Sequence, residues 1–268
     1  MENYIALVKN PDTLLSVQGM EAMSLGENFD LFFKEFSTSI DRRMAALSKS
    51  IHQVDYSAAK RNIEANKILY VKNTGVEMIT PEGFQAGMGN MMSHTKAVVD
   101  GVYIVCSLKT EAARLYDWLK QIIKNGRVDK SFGWTIKDFD TALNKAENFV
   151  KNLPDNSRRL KFNLGQVYFN FDEFFACMIT FNHGVSTLGG RDIELLAKEL
   201  TNVHELGTLM VKKIKANELL VSEQGIADVE AIVNKFVSLT NLAGALLVLL
   251  NDLTAVFNEQ AKTIAELK

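Results

Sequence analysis

Residues 222–268 read SEQGIADVEAIVNKFVSLTNLAGALLVLLNDLTAVFNEQAKTIAELK, and this stretch decides the fold class. It contains no proline and only two glycines, and its apolar residues recur at helical spacing. They are Ile226, Val229, Val233, Phe236, Ala243, Leu247, Leu250, Phe257 and Ile264. A helix of about 45 residues would extend roughly 68 Å at 1.5 Å per residue. We therefore expect a rod-like bundle, in which the apolar run of residues 242–250 belongs to a helix buried on most sides.

A second long stripe lies near the amino terminus. Apolar residues there recur about every 3.6 residues, at Phe33, Phe36, Ile40, Met44, Leu47, Ile51, Val54 and Ala58. No Gly or Pro interrupts residues 27–73, and Asn73-Thr74-Gly75 is typical of a helix end. The pattern predicts an uninterrupted helix of about 40 residues over 28–72.

Three further helices follow from the same kind of spacing. One runs over 93–124, begins at Ser93 and stops before Asn125-Gly126. Another opens at Thr135 and Asp138 and is ended by Pro154, and a third covers 191–217. Strand signals are nearly absent, so we expect at most a small β-hairpin formed by residues 69–71 and 76–79.

Aromatic residues are concentrated between positions 162 and 181. They are Phe162, Tyr168, Phe169, Phe171, Phe174, Phe175 and Phe181. Because large rings bury the most apolar area, this segment is interpreted as the central helix of the core. An aromatic ligand pocket is the alternative.

The complete pattern predicts an all-α, elongated multi-helix bundle with two very long helices. Residues 1–27 would be a flexible or leader-like segment and residues 28–268 a single domain.

Composition excludes several classes of protein. The 268 residues are 47% hydrophobic and 23% charged, with a net charge of −2, which is a globular composition. This balance argues against a nucleic-acid-binding protein, which normally shows a basic excess. Cys106 and Cys177 lie in apolar settings and are interpreted as a reduced, buried pair rather than as nucleophiles.

The sequence shows no motif for a catalytic, metal or cofactor site. The four histidines fall in separate predicted elements, and none belongs to a metal-binding pattern such as H-E-x-x-H. The glycines near Gly83 and those at 189–190 lack the residues that follow a phosphate-binding loop. We therefore expect no enzyme, no metal and no cofactor.

Two surfaces are candidates for contact with a partner. Residues 75–92 combine glycines with methionines, which suits either a plain loop or an adaptable contact with a partner or a membrane. The methionines are Met78, Met88, Met91 and Met92. A dense basic patch at Arg158, Arg159 and Lys161 could contact phosphates or an acidic partner, or could simply be a solvated helix start.

The amino terminus carries a resemblance. Gly19-Met20-Glu21, followed by Ala22, resembles the small-x-Glu sites cut by the maturation proteases of large tailed bacteriophages. Residues 23–36 resemble the leader-like beginnings of internal head proteins in such viruses. The resemblance implies a virion-associated protein that is packaged with the genome and trimmed after Glu21. The same residues also fit a terminal segment leading to a helix capped by Asn28.

These observations favour a non-enzymatic structural or interaction protein, virion-associated and acting through helix–helix packing. Its partners would be other proteins or copies of itself, with no sequence-specific nucleic acid. The alternative is a membrane-active bundle of the pore-forming toxin type. We expect no signal peptide and no transmembrane span, because the apolar run of residues 242–250 is shorter than the 20 or so residues that a span needs. Localisation would be the virion or the host cytoplasm.

Overall fold

The computed structural model describes residues 5, 8–9, 49–66, 68–87, 89–128, 130–135, 139–154, 160–188, 190–219 and 221–268. These residues contain eight helices and one two-stranded antiparallel sheet. The helices are α1 (Ser57–Ala65), α2 (Leu69–Asn73), α3 (Asn90–Asn125), α4 (Phe139–Lys151), α5 (Leu164–Val167), α6 (Phe171–Leu188), α7 (Gly190–Lys215) and α8 (Glu223–Ala265), and the strands are β1 (Glu77–Ile79) and β2 (Lys161–Asn163). The predicted all-α fold is confirmed, and its two long helices are α3 and α8.

Helix α8 is the longest, with 43 residues. It begins where the sequence predicts, because the Ser222 hydroxyl accepts a hydrogen bond from the Gly225 amide at 3.1 Å. Every residue from 239 to 250 is buried, so three turns of the helix are covered on all sides. The uncharged sequence of these turns fits this environment.

Helix α3 is the hub of the bundle. It has 36 residues and is capped by Gly126, whose φ of 72° lies in the left-handed region. The Gly126 amide donates a hydrogen bond to the Ile122 carbonyl at 2.8 Å. It packs against α4, α6, α7 and α8. The sequence places the central helix in the aromatic segment; among the described elements α3 rather than α6 takes that position, since α6 packs mainly against α3.

Two glycines bring helices close to α3. A Cβ on Gly184 of α6 would lie 2.7 Å from a methyl carbon of Val99. A Cβ on Gly101 would lie 2.5 Å from a methyl carbon of Leu246 on α8. The side chains of Val99 and Leu246 therefore occupy the space that a larger residue at either glycine would need.

The aromatic segment is not a single helix. Phe162 lies in β2, residues 164–167 form the short α5, and α6 begins only at Phe171. Side chains set these breaks: Gln166 accepts from the Asn163 amide, and the Asn170 side chain accepts from the Glu173 amide at 2.9 Å. Most of its rings nevertheless serve the core, as predicted.

The predicted helix over 28–72 is interrupted. Residues 51–56 are not helical, and residues 28–48 lie outside the described part of the chain. Val54 is held by the side chain of Asn182 on α6, which accepts from its amide at 2.8 Å and donates to its carbonyl at 2.9 Å. Asp55 then accepts from the Ser57 amide at 2.9 Å, where α1 begins. The apolar spacing continues through residues 51–56, so the sequence pattern does not indicate this break.

This clamp gives a direct prediction for stability. Asn182→Ala would leave both backbone groups of the buried Val54 without partners, at about 1–3 kcal/mol for each unsatisfied group. We expect a loss of about 2 kcal/mol in urea unfolding and faster amide exchange at residues 51–56. Ser186→Ala, at an exposed site on the same helix, is the control and should change stability by under about 0.5 kcal/mol. Unchanged exchange at residue 54 would contradict the clamp.

The predicted hairpin also pairs differently. Residues 69–71 belong to α2, and β1 pairs instead with β2, with Met78 opposite Phe162. The Thr80 hydroxyl extends this pairing by donating to the Leu160 carbonyl at 2.9 Å. Local spacing pointed to a neighbour in sequence, whereas the true partner lies about 80 residues away.

Buried polar side chains tie the sheet to α8. The Tyr168 hydroxyl donates to the Gln260 side chain at 2.5 Å, and Gln260 donates to the Ile79 carbonyl at 2.6 Å. Tyr70 adds a hydrogen bond to the Tyr168 carbonyl at 2.6 Å. These bonds satisfy polar groups inside the core and fix the sheet against α8.

Part of the amino-terminal segment contacts the bundle. Val8 is buried in the core, and the Lys9 ammonium donates to the Leu153 carbonyl at 2.6 Å. These two residues of the segment predicted as flexible or leader-like therefore pack against the body of the protein.

Candidate functional site

A cavity of about 750 Å³ lies between the first half of α3, helix α4 and the turn at residues 83–85. Its volume falls in the range of small-molecule sites. The residues that line it are Gly83, Phe84, Gln85, Asn90, Ser93, His94, Ala97, Asp100, Gly101, Thr141, Ala142, Lys145, Ala146, Asn148, Phe149, Asn152, Leu153 and Pro154. Three separate elements therefore form its walls.

The turn that closes one end depends on Gly83. This residue has a φ of 73°, a left-handed conformation that glycine adopts without strain. Phe84 then donates its amide to the Pro81 carbonyl at 3.1 Å and buries its ring beside Phe162, at 5.8 Å between centroids. The Glu82 amide fastens the turn to α8 by donating to Asp252 at 3.0 Å. The turn is thus held from two sides.

His94 is the unusual side chain of the site. It lies on α3 with only 7% of its surface exposed, and its ring meets the edge of Phe149 on α4 at 5.2 Å. Its Nε2 atom is buried and has no hydrogen-bond partner. Burial lowers the pKa of His94 to about 4, so the imidazole is neutral at pH 7. A neutral imidazole can donate or accept a hydrogen bond, depending on its tautomer.

The charged side chains of the cavity neutralise each other. Lys145 of α4 lies 3.7 Å from a carboxylate oxygen of Asp100 on α3, and both side chains are largely exposed. Since an exposed ion pair contributes little to stability, we interpret it as part of the cavity mouth rather than as a structural tie. The other polar side chains of the lining are Gln85, Asn90, Ser93, Thr141, Asn148 and Asn152.

This arrangement is suited to binding. It combines a largely apolar lining with one buried imidazole. Among the residues that the structure describes, no group of three or more His, Cys, Asp or Glu side chains is placed to hold a metal ion.

The predicted methionine contacts are separated by the fold. Met78 on β1 and Met91 on α3 are buried in the core, Met92 packs partly against it, and Met88 lies outside the described residues. Packing among core side chains is therefore the role in which the structure places Met78 and Met91.

The other predicted contact residues fall mostly beyond the described part of the chain. Residues 19–22 and the basic pair Arg158 and Arg159 lie there. Lys161 is exposed on β2 and lies 3.5 Å from Glu77, its neighbour across the sheet. Lys161 does not line the cavity.

The cysteines are free, as predicted. Burial, with the nearby Glu173 carboxylate, raises the pKa of Cys177 to about 12, so this thiol is a poor nucleophile at neutral pH. Cys106 is partly exposed on α3. Neither cysteine lines the cavity.

Sequence reasoning missed the cavity. In the sequence His94 is one of four histidines in separate predicted elements, and its partners in the lining come from α4 and the turn near residue 84. No local motif joins these segments, so only the packing of α4 against α3 reveals the site.

Comparison with protein-family models, with curated proteins and with solved structures finds no match to the chain.

Proposed function

We propose that the protein is a non-enzymatic structural and interaction protein, a virion-associated component that acts through helix–helix packing. The observation that supports this role is the way in which polar side chains hold the backbone of distant segments. Asn182, Gln260 and Asn62 each hold backbone groups of distant segments, Asn62 at the carboxyl end of α8. Such ties hold long helices in fixed relative positions, as a protein that packs against copies or other proteins requires.

The virion part of the proposal rests on residues 19–36. Cleavage after Glu21 would detach Val8 and Lys9, which contact the core and the Leu153 carbonyl. Trimming would therefore expose apolar surface that these residues cover before cleavage. In this view maturation changes the surface available for packing inside the particle.

Mass spectrometry of particles from the native source tests this proposal. We expect the protein to co-purify with capsids and its chain to begin at Ala22, because a small-x-Glu protease cuts after Glu21. A Glu21→Gln variant should keep the intact amino terminus and is the matched control. An intact wild-type terminus together with no association with capsids would contradict the virion role.

A second candidate, the membrane-active bundle, is favoured by one observation. Within the described residues, Gln224–Ala265 in α8 is the one helix long and apolar enough to cross a membrane. However, 72% of its most apolar stretch is buried inside the fold, as in the core helix of a globular protein. Liposome flotation separates the two candidates, since a membrane-active bundle would float with the lipid.

A further inference from the structure

We propose that the cavity between α3, α4 and the turn at 83–85 binds one small, uncharged, largely apolar molecule that carries a hydroxyl group, which forms a hydrogen bond with His94. This site goes beyond the structural role proposed above and does not depend on it.

The size of the cavity indicates the size of the ligand. Its 750 Å³ correspond to roughly 25 water molecules at about 30 Å³ each, which is enough for a molecule with one or two fused rings. Helices α3 and α4 and the turn line it from three directions, so a ligand seated there would bury part of its surface against the walls. Burial of this kind favours apolar ligands.

The walls favour an apolar body. Two aromatic rings, Phe84 and Phe149, face a lining whose other apolar members are small or aliphatic. These are Ala97, Ala142, Ala146, Leu153 and Pro154. Small residues on α3 and α4 leave room for a ligand, and the rings provide flat surfaces on which an aromatic ligand can pack.

His94 requires a polar group on the ligand. A buried nitrogen without a partner costs about 1–3 kcal/mol, and Nε2 of His94 is such an atom. A hydroxyl can both donate and accept, so it suits either tautomer of the imidazole. Since Nε2 is itself shielded from solvent, the proposed contact requires the imidazole to rotate towards the cavity.

The charges indicate that the ligand is neutral. The charged side chains in the lining are Lys145 on α4 and Asp100 on α3, and they are paired with each other at the mouth. An ion entering the cavity would give up its hydration without finding an unpaired opposite charge. A neutral alcohol or phenol avoids this cost.

Titration with a matched pair of probes tests the proposal. The probes are 2-naphthol and 2-methylnaphthalene, which have the same shape but differ in the hydroxyl group. Calorimetry at pH 7 should show one site, with 2-naphthol bound about tenfold more tightly, the value of one net hydrogen bond. In NMR, the imidazole signals of His94 should shift with 2-naphthol and much less with 2-methylnaphthalene.

Three variants identify the site. His94→Phe should abolish the preference for 2-naphthol, whereas His183→Phe, at an exposed position on α6, should retain it. Ala142→Trp should fill the cavity and abolish binding of both probes, with circular dichroism confirming that the variant is folded. The proposal is overturned if neither probe binds, if both bind equally, if the preference survives His94→Phe, or if folded Ala142→Trp still binds.

Discussion

Phe257→Ala should lower the free energy of unfolding by about 3–5 kcal/mol, the largest effect we expect from a single substitution. Phe257 lies on α8 with its ring fully buried, 5.1 Å from the ring of Phe181 on α6. Truncation removes the transfer free energy of the ring and leaves a hole that the two packed helices cannot close. Urea unfolding followed by circular dichroism measures the loss.

The control for this prediction is a phenylalanine that sequence reasoning assigned to the same core. Phe169 belongs to the aromatic segment, yet 60% of its surface is exposed. Phe169→Ala should change stability by under about 0.5 kcal/mol. A loss of less than 1 kcal/mol for Phe257→Ala, or equal losses for the two variants, would contradict the packing of α6 and α8.

The second large effect is a dependence of stability on pH through His94. Burial lowers the pKa of this imidazole from 6.5 to about 4 in the folded protein. Between those values the unfolded chain binds a proton that the folded protein does not. Stability is therefore complete above about pH 6.5 and falls as the pH decreases towards 4, by roughly 3 kcal/mol.

The dependence on His94 is isolated by a variant that cannot titrate. His94→Phe keeps an aromatic ring against Phe149 and should be less sensitive to acid than the wild type over this pH range. Denaturant unfolding at several pH values measures the difference between the two proteins, which cancels the acid sensitivity of other groups. Parallel curves would show that His94 is not buried in its neutral form.

Where apolar residues recur along one face of a helix over many turns, their spacing was sufficient to predict the helix. The bounds of α3, α4, α7 and α8 agree closely with the predictions, because each has a regular apolar face and recognisable end residues such as Ser222 and Gly126. Such signals lie within a few residues of the structure that they specify.

Contacts between distant residues decided the features that spacing missed. Residues 51–56 continue the apolar repeat of a helix, but the Asn182 side chain, about 130 positions later, holds the Val54 backbone instead. Strand β1 takes its partner from residues 161–163 for the same reason. A hydrogen bond between distant segments can outweigh a local preference of a few tenths of a kcal/mol per residue.

The sequence by itself determined that the chain is helical and that α8 lies in its core, since the uncharged residues 239–250 are stable only when covered. Only the tertiary structure decided which helix is the hub and where a ligand could bind. The cavity exists because small residues of α3 and α4 meet beside the turn of Gly83. Likewise, the unusual pKa of His94 arises from burial by other segments, and burial is a property of the packed chain.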